Sequence, residues 1–129
     1  MTHPFKSFII ATFLAACLVP AAAAGASAPR NCRSADLRYP AELFAPHGPL
    51  TFGVFQLRIA HGSCATAHAV AKAWMSRFES AFRAGRTVLP RAVDGFKFTT
   101  LPVHVAQTFR ERGRRGATTI WFEYRIPNG

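Results

Sequence analysis

Apolar and polar residues follow a helical repeat over residues 63–84. Spacings of three and four residues predict one amphipathic helix with a buried side and a charged side. Ser63 is suited to cap the first turn, and Gly85 is suited to the left-handed residue that ends a helix. The expected buried side chains are Cys64, Ala67, Ala71, Trp74, Met75, Phe78 and Phe82, and the expected exposed ones are Lys72, Ser76, Glu79, Ser80 and Arg83.

Four other segments alternate with the two-residue period of a strand. Residues 51–60 predict a first strand, with Phe55, Leu57 and Ile59 inward and Gln56 and Arg58 outward. Residues 96–100, 103–110 and 117–126 predict three more. The last has Ile120, Phe122 and Tyr124 inward and Trp121, Glu123 and Arg125 outward. Residues 86–95 read as a loop, and residues 111–116 as a charged hairpin turn that includes Glu111.

These elements predict an α+β fold. One amphipathic helix packs on a three- to four-stranded antiparallel sheet, in the order strand, helix, strand, strand, strand. Residues 51–129 are the expected single domain. Residues 27–50 form a proline-rich arm, which excludes a long helix or a central strand. Within the arm, residues 38–39 are expected to form a short strand or turn, and Leu37, Tyr39, Leu43 and Phe44 to dock on the core.

Residues 1–26 have the pattern of a secretory signal peptide. Lys6 is followed by an apolar run and then by small residues with several Ala-x-Ala sites. The apolar run is shorter than the ~20 residues of a membrane span, so none is expected in the mature form. A second reading takes Leu14-Ala15-Ala16-Cys17 as a lipobox, in which Cys17 is lipidated and the protein is anchored in the envelope.

Two cysteines, Cys32 and Cys64, remain after the signal segment. An even number of cysteines in an exported chain indicates an oxidising compartment and predicts one disulfide between them. The expected location is therefore secreted or extracytoplasmic, in association with the cell envelope.

The chain is strongly basic, with 16 Lys and Arg against 6 Asp and Glu and a formal net charge of +10. Partners outside the cell that suit this charge are anionic wall or surface polymers, lipid headgroups, extracellular nucleic acid or a secreted acidic protein. The densest charge is Arg110, Arg112, Arg114 and Arg115, which Arg125 and Trp121 extend on the outward side of the next strand. An alternative is a solvated hairpin tip whose charges prevent an edge strand from pairing with another chain. No specific nucleic-acid motif accompanies these residues.

The inventory of catalytic groups is small. Cys64 and His68 have a spacing that metal ligands use, and His61 is close to them, but a disulfide at Cys64 and a solvated His68 explain the same residues. Ser63 is explained by capping, and the chain has no G-x-S-x-G elbow. The few carboxylates form no evident pair, although Glu123 beside Trp121 is unusual. We therefore expect no enzyme, no metal and no cofactor.

Three short motifs are similar to a loose group of small exported bacterial domains of uncharacterised function. They are residues 62–73 with the pattern "SCxxA", Asp94-Gly95-Phe96 at the start of a "GFxC" strand, and residues 119–122. The resemblance covers residues 54–122 and implies export and a strand–helix–strand order. Phe98 stands where the group has a cysteine, and Thr108 or Phe109 stands where its partner would be, which implies an aromatic contact in place of a bridge.

The resulting hypothesis is an exported, non-catalytic binding or structural domain that meets anionic surfaces through its basic hairpin. Three alternatives remain open. One is a secreted hydrolase inhibitor that presents residues 86–95 or residues 40–49 of the arm as a rigid loop. The second is the lipid-anchored envelope protein, and the third is an enzyme that uses His61 or His68.

Overall fold

The computed structural model describes residues 28–39 and 52–126. The predicted signal peptide, Cys17, and the arm residues Leu43 and Phe44 lie outside the described residues. In the part that is described, no helix is long and apolar enough to cross a membrane.

The predicted helix is α1, Cys64–Arg83. Ser63 caps it as expected, because its hydroxyl accepts a hydrogen bond from the backbone N–H of Thr66 at 3.2 Å. Gly85 adopts a positive φ of 75°, and the N–H groups of Gly85 and Arg86 donate to the carbonyls of Phe82 and Ala81. These two bonds satisfy carbonyls of the last turn and end the helix.

Within the described residues, seven antiparallel strands form one sheet, so the predicted number of strands was too small. Four are long and three have only two residues. They are β1 (Arg30–Asn31), β2 (Arg38–Tyr39), β3 (Phe52–Ala60), β4 (Ala92–Val93), β5 (Phe96–Leu101), β6 (Thr108–Arg115) and β7 (Thr118–Arg125).

The sheet has the order β1-β3-β7-β6-β5-β4, and β2 pairs with the other end of β3. Strands β5, β6 and β7 form a meander that brings β7 back beside β3. Helix α1 connects β3 to β4, which lies at the opposite edge of the sheet. The short strands β1, β2 and β4 flank the four long strands.

Helix α1 covers one face of the sheet, which we call the inner face. Trp74 and Phe78 are fully buried and contact the rings of Phe122 and Tyr124 on β7 at centroid distances of 5.1–5.4 Å. Phe82 is an exception to the prediction, because it lies at the end of the apolar stripe and is 47% exposed.

A β-bulge in β3 changes the expected inward side of that strand. Phe55 pairs with Glu123 and Arg58 pairs with Trp121, so two residues of β3 oppose only Phe122 of β7. Leu57 and Ile59 belong to the buried core as predicted, together with Val54. The side chain of Phe55 lies on the outer face of the sheet, so its predicted inward position was wrong.

The third predicted strand and the charged turn were also misplaced. Residues 102–107 form no strand, and β6 begins at Thr108 and continues to Arg115. The hairpin turn is formed by Gly116 and Ala117, not by residues 111–116. Strand β6 contains Gly113 at a point where a side chain would collide with its neighbour, since the Phe98 ring lies 2.6 Å from the position that a Cβ would take there.

The arm is attached to the domain at several points. The predicted disulfide is present, with a Cα–Cα distance of 5.3 Å between Cys32 and Cys64. Leu37 is buried as expected, and residues 38–39 form β2. Gly53 allows this close pairing, because it has a φ of 111° and its Cβ position lies 2.1 Å from the Leu37 carbonyl oxygen.

Candidate anion-binding face

The alternation of β6 divides its arginines between the two faces of the sheet. Arg110, Arg112 and Arg114 pair with Glu123, Trp121 and Thr119 of β7, so their side chains share the outer face. Arg115 has the opposite parity, and its guanidinium lies 4.3 Å from the centre of the Phe96 ring. It also donates to the Asp94 carbonyl at 2.9 Å. The structure therefore brings three of the four predicted hairpin arginines together and separates Arg115 from them.

Strand β7 contributes Trp121, Glu123 and Arg125 to the same face, which agrees with the outward side predicted for them. Glu123 is only 6% exposed and accepts hydrogen bonds from Arg110 at 2.8 Å and from Arg125 at 3.2 Å. Burial raises the pKa of Glu123, but the hydrogen bonds and charges of the two arginines outweigh this and hold it below its ordinary value. Glu123 therefore remains a carboxylate and orients both guanidinium groups.

Two cations that the sequence analysis did not assign to this patch extend it across the sheet. Lys97 of β5 pairs with Arg114, and Arg58 of β3 pairs with Trp121. The alternation of residues 55–59 already predicted an outward side chain for Arg58. The proximity of both cations to β6 depends on the strand order, which the sequence does not specify.

We define the basic face as the outer-face side chains of β3, β5, β6 and β7. Glu123 is its one carboxylate among the residues that the structure describes. Its six cationic side chains are Arg58, Lys97, Arg110, Arg112, Arg114 and Arg125.

An aromatic contact fixes one end of the basic face. The guanidinium carbons of Arg38 and Arg125 lie 4.3 Å and 4.0 Å from the centre of the Phe55 ring. Arg38 also donates from Nε to the Val54 carbonyl at 3.0 Å. Arginine planes over an aromatic ring keep part of their donor edge available to an anion. The bulge that turns Phe55 outward therefore helps to hold Arg38 and Arg125 in place.

The residues considered for catalysis have other partners. Cys64 is in the disulfide, and His68 Nε2 lies 2.6 Å from Asp36 Oδ2 in a pair that is partly exposed to solvent. Glu79 was expected on the exposed side of the helix, but it accepts hydrogen bonds from the hydroxyls of Tyr39 and Tyr124, both at 2.7 Å. Over residues 28–39 and 52–126, no group of three or more His, Cys, Asp or Glu side chains is arranged to hold a metal ion.

Glu111 was expected in a turn, but it lies within β6 and is 1% exposed. It has the same parity as Phe109, whose ring contacts Phe78 on the helix, so it points to the inner face. Burial raises the pKa of Glu111 to about 7, against a hydrogen bond from Thr100 that lowers it. Its charged neighbours Arg110 and Arg112 concealed its position in a strand.

Comparison of the chain with protein-family models, curated proteins and solved structures finds no match. The similarity to small exported domains therefore stays a prediction from the sequence motifs.

Proposed function

We propose that this protein is an exported, non-catalytic binding domain whose basic face binds an anionic polymer of the cell envelope. The observation that carries the proposal is the excess of cations on one sheet face. Glu123 is already bonded to Arg110 and Arg125, and Lys97, Arg112 and Arg114 have no carboxylate partner among the described residues. A surface with this charge attracts polyanions through a salt-dependent interaction.

Export is part of the same proposal. Its support is the signal-like segment at the start of the chain together with the disulfide between Cys32 and Cys64. Disulfides persist mainly in oxidising compartments. Mass spectrometry of the exported protein distinguishes ordinary cleavage from lipidation, because only a lipid-anchored form carries a diacylglycerol on Cys17.

Replacement of cations on the basic face that have no carboxylate partner among the described residues tests the binding proposal. We expect Arg112→Gln with Arg114→Gln to weaken binding to an anionic polysaccharide such as polygalacturonate about 3- to 10-fold at low salt, since each exposed ion pair contributes ~0.2–1 kcal/mol. The salt dependence should also become shallower. Affinity measured by interferometry over a range of NaCl concentrations reports both effects.

A matched control removes the same charge elsewhere. Arg86 and Arg91 are exposed in the loop after α1, outside the basic face. Arg86→Gln with Arg91→Gln should leave the affinity within about twofold of wild type. Equal losses in the two double variants would indicate a response to net charge alone and would contradict a binding face.

A hydrolase inhibitor is a second candidate, favoured by the way the loop of residues 86–91 is held. The indole of Trp74 donates to the Pro90 carbonyl at 3.2 Å, and the Phe98 N–H donates to the Arg91 carbonyl at 2.8 Å. Between the helix and these anchors, Val88 is 51% exposed. Stoichiometric inhibition of a secreted protease would support this function, whereas rapid cleavage after Arg86 or Arg91 by trypsin would contradict it.

A further inference from the structure

A polar cleft lies at the edge of β3 beside the basic face. Strand β1 pairs with Arg58 and Ile59, and β2 pairs with Phe52 and Gly53, so neither short strand pairs with the bulge between these positions. The cleft has a volume of about 520 Å³. We call it the bulge cleft, and its lining residues are Asn31, Cys32, Arg38, Gln56, Leu57 and Arg58.

The bulge presents Gln56 to this cleft in a strained conformation. Gln56 is exposed and has a φ of 52°, in the left-handed region that favours glycine. Bulges often redirect side chains at functional sites, and a non-glycine residue held with positive φ persists only where its surroundings enforce it. Here the outcome is an amide side chain at the mouth of the cleft, where glycine would fit the backbone without strain.

Two arginines of the cleft lack an anionic partner within the described residues. Arg38 is oriented by its bonds to the Val54 carbonyl and, at 3.4 Å, to Ser34 Oγ, and by the Phe55 ring. Arg58 lies 5.8 Å from the Trp121 ring centre, and its Nε is buried without a hydrogen-bond partner. A buried donor without a partner is uncommon and calls for an explanation.

We propose that the bulge cleft is the specific subsite of the basic face and binds one carboxylate or phosphate group of the polymer between Arg38 and Arg58. This inference rests on the proposed function and names the group that the face recognises. Planar guanidinium groups donate two parallel hydrogen bonds to such oxyanions. The amides of Asn31 and Gln56 add donors, and no carboxylate lines the cleft to repel the ligand.

Titration with small anions separates the cleft from the rest of the basic face. Galacturonate supplies the carboxylate arm and glycerol phosphate the phosphate arm. We expect at least one of them to bind the disulfide-bonded protein saturably, with chemical-shift changes at the Gln56 amide and the Arg58 Nε–H. The arm that saturates identifies the oxyanion.

Variants of the cleft and of the face then give different outcomes. Arg58→Gln should weaken small-anion binding at least fivefold, while Arg112→Gln, on the same face but outside the cleft lining, should change it less than twofold. Gln56→Gly should raise thermal stability by relieving the positive φ and should also weaken small-anion binding. A purely structural bulge would show the stability gain without the binding loss.

Either of two results would contradict the subsite. In the first, small anions fail to saturate the wild-type protein. In the second, they bind wild type and both cleft variants equally. If Arg112→Gln with Arg114→Gln still weakens polymer binding in that case, the proposed function stands and only the subsite is wrong. If neither the face variants nor the cleft variants alter polymer binding, the proposed function fails as well.

Discussion

At the scale of single residues, the two buried glutamates of β6 and β7 have opposite electrostatic surroundings. Glu123 lies between Arg110 and Arg125 on the outer face, whereas Glu111 lies against the core with one hydrogen bond from Thr100. Burial is the first cause acting on both carboxyl groups, but only Glu123 has cations that outweigh it. Their contributions to stability should therefore depend on pH in opposite directions.

The Glu111 carboxyl should make the protein less stable as the pH rises. Its pKa is raised from 4.5 to about 7 in the folded state, so its contribution is complete below the unfolded pKa and is lost as the pH passes through the folded pKa. We expect Glu111→Gln to stabilise the protein by about 3 kcal/mol at pH 8.5 relative to its effect at pH 4. Urea denaturation of both proteins at the two pH values measures this difference.

Glu123→Gln provides the contrast. The folded-state pKa of Glu123 is lowered, so its contribution is present above the unfolded pKa and is lost as the pH falls through the folded pKa. This variant should be less stable than wild type at pH 8.5.

The contradicting outcome for Glu111 is a pair of parallel curves. If the stabilities of wild type and Glu111→Gln changed with pH in parallel, Glu111 would not be buried as described.

At the scale of elements, α1 packs on the sheet through one apolar stripe, and the buried part of this stripe ends before the helix does. Phe78 is fully buried and lies between the rings of Trp74, Phe109 and Tyr124. Phe82 follows one turn later, stacks on Phe78 at 5.9 Å and is 47% exposed. The helical period predicts both on the same side, whereas the extent of the sheet determines which one is covered.

This difference gives a matched pair of substitutions. Phe78→Ala should cost ~3–5 kcal/mol of unfolding free energy, because it removes a fully buried ring and leaves a cavity. Phe82→Ala removes the same atoms from a half-exposed site and should cost less than about 1 kcal/mol. Chemical denaturation of both variants tests the placement of α1, and similar losses would contradict it.

At the scale of the whole molecule, the two faces of the sheet have different surroundings. The helix covers the inner face, and the outer face carries the basic face with its six cations and Glu123. The arm is joined to this assembly by the disulfide at the start of α1 and by the hydrogen bond from Tyr39 to Glu79. The arm also forms one side of the bulge cleft, so its attachment affects both stability and the proposed subsite.

Removal of the disulfide should weaken the whole domain. Cys32 and Cys64 are 32 residues apart, and a closed loop of that size contributes ~3–4 kcal/mol in the chain-entropy model. A variant with Cys32→Ser and Cys64→Ser should lose that amount in a denaturation experiment. Wild type under reducing conditions should behave in the same way, and a loss below about 1 kcal/mol in both would mean that the arm is held mainly by its other contacts.

The sequence by itself determined the features that depend on neighbours along the chain. Ser63, the apolar stripe of α1 and Gly85 specify the helix and both of its ends, because capping and periodicity act over a few residues. The disulfide followed from the number of cysteines. The inward side of β7 followed from its alternation, which also placed Trp121 and Arg125 on one face.

Only the tertiary structure decided what depends on register and strand order. Charged residues hid the strand character of residues 111–115, because cross-strand pairing with β7 overrides their local preference for a turn. The bulge in β3 reversed the side of Phe55, since one extra residue inverts the alternation before it. The basic face therefore became visible only once β3, β5, β6 and β7 were placed side by side.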